Sequence, residues 1–188
     1  FGLFSIWAVL RPDISATLHL FSFVERMQLV SYSFLSYLLK SIIPYNLSAA
    51  HPYQYLPGHL PLYYFIFPVV VLCLTILVIF KYKNRKLIFG LLLFVAGVVF
   101  ALQLFPAGDM VIADRNIYIS CIGIAFLLGE LYAYLEKTVS KKIMLATAST
   151  LLMLYGFAAH QQTKIWQNSV TLFSDIIEKY PEYHIAYL

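Results

Sequence analysis

Charge is what this chain has least of. Asp, Glu, Lys and Arg make up 12% of its 188 residues, about half the roughly 25% of a soluble globular domain. Its two cysteines, Cys73 and Cys121, both lie in apolar runs, which excludes a disulfide framework and a cysteine metal site. No basic face is interleaved with stacking aromatics, so nucleic acid is excluded as a partner. A signal peptide is also missing. The chain opens on Phe1 instead of Met and closes at Leu188 inside a helical pattern, and it reads as an internal piece of a longer polypeptide.

Hydrophobic residues fill the space that charge leaves, at 61%. Residues 62–80, 87–105, 117–135 and 143–160 form four apolar stretches, each near the roughly 20 residues that cross a bilayer as a helix. Residues 1–10 are too short to span and look like the end of a preceding helix, closed by Arg11-Pro12-Asp13. Residues 18–43 differ from the rest. Ser22, Glu25, Arg26, Ser33, Ser36 and Lys40 recur at three- and four-residue steps opposite Leu20, Phe23, Val24, Met27, Phe34, Leu35, Leu38 and Ile42. That is an amphipathic helix. It either lies along the membrane surface, the favoured reading, or stands upright with its stripe on a polar cavity.

Cations set the orientation. Loops 81–86 and 136–142 hold seven of the 13 Lys and Arg, whereas 106–116 holds only Arg115 and 44–61 none. By the positive-inside rule the two basic loops are cytoplasmic. The 106–116 loop, the Tyr- and Pro-rich 44–61 loop and the C-terminal tail then share the outer side. Tyr53, Tyr55, Tyr63 and Tyr64 suit an interfacial belt there.

On that side the pair Asp114-Arg115 sits at the mouth of the 117–135 span, after a break at Pro106-Ala107-Gly108-Asp109. Charge so close to lipid is costly without partners or water, and it marks a functional candidate by default. The plainer reading is an interfacial pair that stops a helix. Glu130, the one acid inside a span, lies near its cytoplasmic end and reaches the interface. His51 and His59, eight residues apart, have no metal-ligand spacing. The tail changes character. Trp166, Val170, Phe173, Ile176, Ile177 and Tyr180 form one helical apolar stripe, Pro181 stops it, and His184 begins another helix. The W-x6-F-x7-P pattern followed by A-x-L suits the junction of two tetratricopeptide repeats, which need about three copies to bury a core. A generic amphipathic helix is the alternative.

In this order the parts resemble the bacterial relatives of the transmembrane-and-TPR O-mannosyltransferases, polytopic proteins of GT-C glycosyltransferase architecture. Tyr37 to Pro44 matches their Y-L-x-K-x-x-x-P helix end. Asn46-Leu47-Ser48 through His51-Pro52-Tyr53 matches an N-L-S then Y-P-Y stretch. Ala113 to Gly123 matches A-D-R-Y-x-Y-x-P-S-x-G, and Trp166 to Pro181 matches the approach to the first repeats. Asn116, Ser120 and Cys121 depart from the pattern, where the family has Tyr, Pro and Ser. Asp114, Arg115, Tyr118 and Gly123 keep it.

The resemblance implies an all-α protein. Residues 1–160 would be the C-terminal part of a polytopic transmembrane bundle, with four spans and the 18–43 helix, and 161–188 the start of an extracytoplasmic TPR-like α-solenoid. It implies a multi-pass protein of the bacterial cytoplasmic membrane that transfers a sugar from a polyprenyl-phosphate donor to an acceptor, a protein in this family, on the outer face. A guanidinium grips phosphate oxygens in a bidentate fork, so Arg115 is the expected phosphate contact. Asp114 would orient it or a neighbouring backbone group, and Tyr118 would add a hydroxyl from the same helix face. Lys40 is a second phosphate contact if its stripe faces the cavity, and otherwise a lysine reaching to the interface. The residues identify no cofactor with certainty. A divalent cation, Mg2+ or Mn2+, could bridge Asp114 and Asp109 to a phosphate, though two acids in a loop are no metal signature. The general base is expected before Phe1, and the fragment alone is expected to be inactive.

The residues by themselves leave a second function open, a non-catalytic membrane anchor for a TPR scaffold that binds protein partners. A transporter fits less well, for want of a discontinuous Gly/Pro pair of spans. The topology is testable directly. A reporter at Asn84 or Val139 is expected in the cytoplasm, and one at Gly108 or after Thr163 outside. Gly108 and Asn84 reporting the same side would remove the four-span arrangement.

Overall fold

The computed structural model describes residues 21–81, 84–99, 101–102, 110–183 and 187. Six α-helices run through them: α1 Phe23–Ile42, α2 Ile66–Lys81, α3 Arg85–Val98, α4 Ile117–Leu135, α5 Lys141–Ile165 and α6 Ser169–Lys179. Single 3-10 turns, Leu62–Phe65 and Asp114–Asn116, lead into α2 and α4. Three helical stretches are long and apolar enough to cross a membrane by length and composition: Leu62–Phe80, Asp114–Leu135 and Lys141–Ile165. The expected 87–105 span is observed as α3, whose 14 residues rise about 21 Å. Much of the sequence that would complete it, with the 106–109 break and Asp109, lies outside the described residues, as do residues 1–20 and His184.

The helices are not the whole fold. His51–Pro52 (β1) and Met110–Ile112 (β2) form a two-stranded antiparallel ladder, with His51 opposite Ile112 and Pro52 opposite Met110. Two segments expected only as loops are thereby tied together. The register slips between His51 and Pro52, at a residue that has no N–H to give a ladder.

Helices α3 and α4 form the tightest unit, and glycine is the reason. A methyl carbon added at Gly123 would lie 2.5 Å from the Phe94 backbone nitrogen and 2.7 Å from the Gly90 carbonyl oxygen. One added at Gly97 would lie 2.7 Å from the Ser120 hydroxyl. Small residues on both helices let the backbones touch, the main source of helix association where no water drives it. The pairing is antiparallel, and Lys86 meets Glu130 at 2.9 Å near its far end. Both basic segments therefore sit at one end of this pair. Glu130 has a partner as well as a path to the interface.

Helix α1 begins with a capping box. The Glu25 N–H donates to the Ser22 hydroxyl (3.3 Å) and the Ser22 N–H to the Glu25 carboxylate (2.8 Å), so both residues serve the helix end. The other Glu25 oxygen accepts from the Gly58 N–H at 2.8 Å. Along its length α1 then meets Tyr64 and Phe67 at the start of α2, Phe94 late in α3, Ala113 just before α4, and Tyr155 of α5. It crosses the ends of the other helices at the side away from the basic loops. Gln28, Ser33, Ser36, Tyr37 and Lys40 are buried, while Phe23, Val24, Leu39 and Ile42 are exposed. The polar stripe thus faces protein, where the surface reading had it facing water. The reason is that the β1 and β2 segments lie over it, and the Ser33 hydroxyl donates to the Val111 carbonyl at 3.4 Å.

Helix α6 has its own cap, the Thr171 N–H donating to the Asn168 side chain at 2.8 Å. Its stripe divides. Ile176 is buried with Leu172, Ile177 and Tyr180 against Ala49 and Ala50, whereas Val170 and Phe173 are exposed. The first tail helix folds back on the 44–61 segment.

The glycine contact generates a contrast. Gly123→Ala presses a methyl group onto backbone and is expected to cost about 1 to 3 kcal/mol. Gly129→Ala, with nothing within 4 Å, is expected to be neutral or to stabilise by up to about 1 kcal/mol. Unfolding midpoints in detergent measure both, and a Gly123→Ala protein as stable as the parent refutes the packing argument.

Candidate functional site

The site forms where the C-terminal turn of α1, the segment before β1 and the start of α4 converge. Asn46 turns the chain there with a left-handed φ of 44°, which asparagine tolerates better than most residues. Its carbonyl accepts from Lys40 Nζ at 3.2 Å. Lys40 Nζ also donates to Asp114 Oδ1 at 2.8 Å and Oδ2 at 3.0 Å, and lies 2.6 Å from His51 Nε2. An ammonium has three donors and no acceptor, so these partners exhaust it. Lys40 is 7% exposed and does not reach out to the interface. Burial pulls its pKa below the ordinary lysine range, and Asp114 works in the opposite direction.

Asp114 is equally committed. Oδ2 accepts from the Ser48 backbone N–H at 2.7 Å, so the carboxylate orients a backbone group far away in sequence, not one beside it. Asp114 makes no ion pair with Arg115. The neighbouring charges expected to act as a pair are separated, because Lys40 outcompetes the arginine from inside the fold. His51 closes the cluster. Lys40 can only donate, so Nε2 accepts, and the hydrogen on Nδ1 meets the Tyr180 hydroxyl. That tautomer is assigned from its partners. In it, Asp114 and His51, 3.2 Å apart, are held together by sharing the ammonium.

Tyr180 brings α6 into the site. Burial first, then Tyr32 and Asp114, push its pKa up to about 12. Lys179 donates to the Leu47 carbonyl at 2.6 Å and pairs with Asp175 at 2.7 Å. The segment that carries Leu47, Ser48 and His51 is therefore clamped between α1, α4 and α6.

Above the cluster opens a cavity of about 160 Å3. Its lining falls into two classes. Lys40 and Asp114 use their side chains within the fold, and Ser48 its backbone N–H, while the buried Ser48 hydroxyl has no partner among the described residues. Arg115, Tyr118, Gln162 and Trp166 also line it, and none of these four side chains has a hydrogen bond or ion pair among the described residues. Arg115 and Tyr118 are exposed and stand three residues apart, Arg115 in the 3-10 turn that leads into α4 and Tyr118 in the first turn of α4. Gln162 stands in the last turn of α5 and Trp166 four residues on, at its C-cap. Pro44, Leu47, Ile117 and Cys121 supply an apolar remainder.

All four residues expected to bind substrate, Lys40, Asp114, Arg115 and Tyr118, meet at this cavity. Asp109, the acid offered for a metal, lies outside the described residues. Sequence reasoning passed over His51, dismissed for want of metal spacing, and Ser48, which enters only through its backbone. It assigned Trp166 and Tyr180 to a solenoid stripe. The available signal for His51 was its place in an uncharged loop, at the head of the His51-Pro52-Tyr53 stretch. Gln162 carried no signal beyond its i, i+4 relation to Trp166. No protein-family model, curated protein or solved structure matches this chain.

The buried pair sets an expectation for stability. Asp114→Ala strands Lys40 in a buried site, at a cost of about 3 to 5 kcal/mol. The double change Lys40→Met with Asp114→Leu removes both charges and is expected to recover most of that loss. Chemical unfolding in detergent, run as a double-mutant cycle, measures the coupling. Additive losses would show that the two charges do not depend on each other.

Proposed function

We propose that the chain is part of a membrane glycosyltransferase that moves a sugar from a polyprenyl-phosphate carrier to an acceptor on the side away from the basic loops. One observation carries this reading. Arg115 has no partner among the described residues, while the acid next to it is neutralised from within by Lys40. The cavity thus has an uncommitted guanidinium beside a cancelled pair, an arrangement that favours an anion. A lipid phosphate is such an anion, and its charge grows as the carrier departs. Tyr118 offers a hydroxyl from the same helix face. The apolar lining suits the first carbons of a prenyl chain.

Within this reading residues 87–105 complete a fourth span, and the cavity opens on the outer face of a bacterial cytoplasmic membrane. Residues 161–188 begin a tetratricopeptide solenoid that presents the acceptor protein. Asp114 is a positioning group. Its oxygens are taken by Lys40 and Ser48, so the base that deprotonates the acceptor comes from elsewhere. The scaffold reading draws on Val170 and Phe173, which leave an apolar face of α6 exposed.

Arg115 decides between the two. In the full polypeptide, Arg115→Ala is expected to lower sugar transfer from a polyprenyl-phosphate donor by roughly a hundred- to a thousandfold, at unchanged protein level, as for loss of a transition-state contact. Arg115→Lys keeps the charge but loses the planar fork, and should retain more activity than Arg115→Gln. Transfer in isolated membranes, with abundance measured alongside, tests the series. Full activity in Arg115→Ala removes the phosphate role. Absence of transfer by the parent protein, with partner binding intact, favours the scaffold.

A further inference from the structure

The α5 wall of the cavity is built differently from the α4 wall. On α4 the uncommitted groups are a cation and a phenol. On α5 they are an amide and an indole, Gln162 and Trp166, one helical turn apart and so on one face. Neither side chain makes a hydrogen bond among the described residues, and both line the same cavity as Arg115. No charge stands on this wall.

A carboxamide offers two donors and one acceptor oxygen, a match for neighbouring hydroxyls that each donate and accept. An indole offers a broad apolar face and a single N–H, a match for the C–H face of a pyranose ring. A charged or purely aliphatic ligand would use neither in full. We infer that Gln162 and Trp166 form the saccharide half of the cavity, holding the sugar of a phosphate-linked ligand whose phosphate is held by Arg115. The inference rests on the phosphate reading of Arg115 and adds specificity-determining residues to it. The two halves come from different helices, so sugar and phosphate recognition are separable by mutation.

Trp166 supplies its own reporter. In the full polypeptide, farnesyl phosphoryl-mannose is expected to change tryptophan emission more than farnesyl phosphate does, and Trp166→Phe is expected to reduce that difference. Calorimetry in detergent then gives the affinity of each probe for the full polypeptide and its variants. The mannose ester is expected to bind the parent about five- to tenfold more tightly than farnesyl phosphate, the scale of one net hydrogen bond. Gln162→Ala and Trp166→Ala are expected to erase that preference and leave farnesyl phosphate binding unchanged, and Trp166→Phe to retain part of it. Arg115→Ala is expected to weaken both probes equally.

A preference for the mannose ester that survives both alanine changes overturns the inference, as does equal binding of the two probes by the parent. The two readings fail separately. If Arg115→Ala leaves both affinities unchanged while Gln162→Ala erases the preference, the phosphate role falls and the saccharide wall stands.

Discussion

Lys40 and Asp114 lie 74 residues apart in sequence and 2.8 Å apart in the fold, and most of the end of the molecule away from the basic loops is arranged around that contact. Burying either charge alone is costly, and an ion pair repays the cost only when its remaining hydrogen-bonding capacity is also met. The fold meets it with backbone. Asn46 gives its carbonyl to the lysine and Ser48 its N–H to the aspartate. Both belong to one short turn that must stay in place for the pair to exist. The ladder of His51–Pro52 with Met110–Ile112 holds that turn from one side, and α6 holds it from the other through Ile176, Lys179 and Tyr180. A charged pair that contributes little net stability can still impose one arrangement on four segments, because each alternative leaves a charge unpaired.

The same contact accounts for the electrostatics of the cavity. With Asp114 neutralised from the α1 side, Arg115 does not fold back on its neighbour and stays directed to the cavity lining. The saturated half of the lining is fixed by its own bonds. The unsaturated half, Arg115 and Tyr118 on α4 with Gln162 and Trp166 on α5, keeps its polar groups for something else. Rigid support beneath and uncommitted groups above is how a binding site is held in shape before its ligand arrives.

Glycine does at the middle of the molecule what the ion pair does at its end. Gly90, Gly97 and Gly123 let α3 and α4 approach backbone to backbone, which sets the height at which Asp114 and Arg115 emerge. Gly123 also lies in the motif that carries the family resemblance. In this structure its part is packing, six residues beyond the start of the helix that presents the charges.

The long apolar helices around 62–80, 117–135 and 143–160 were legible from composition, because a run of apolar side chains near 20 residues long is long enough to cross a bilayer as a helix. Helix α1 was legible as amphipathic from its three- and four-residue polar steps. The cavity residues Lys40, Asp114 and Arg115 were legible because charge is conspicuous in so apolar a chain, and Tyr118 because it follows Arg115 by three residues on a helix. What the polar stripe of α1 faces was not legible, since periodicity gives a helix a face without giving that face a partner. That Asp114 would pair with Lys40 and not with adjacent Arg115 was hidden for a related reason. Adjacency in sequence is visible, but the competition between two cations is settled by distance and burial. His51, Gln162, Trp166 and Tyr180 reached the site only through tertiary structure. Nothing in a residue's own spacing reports which distant backbone turn will be brought against it.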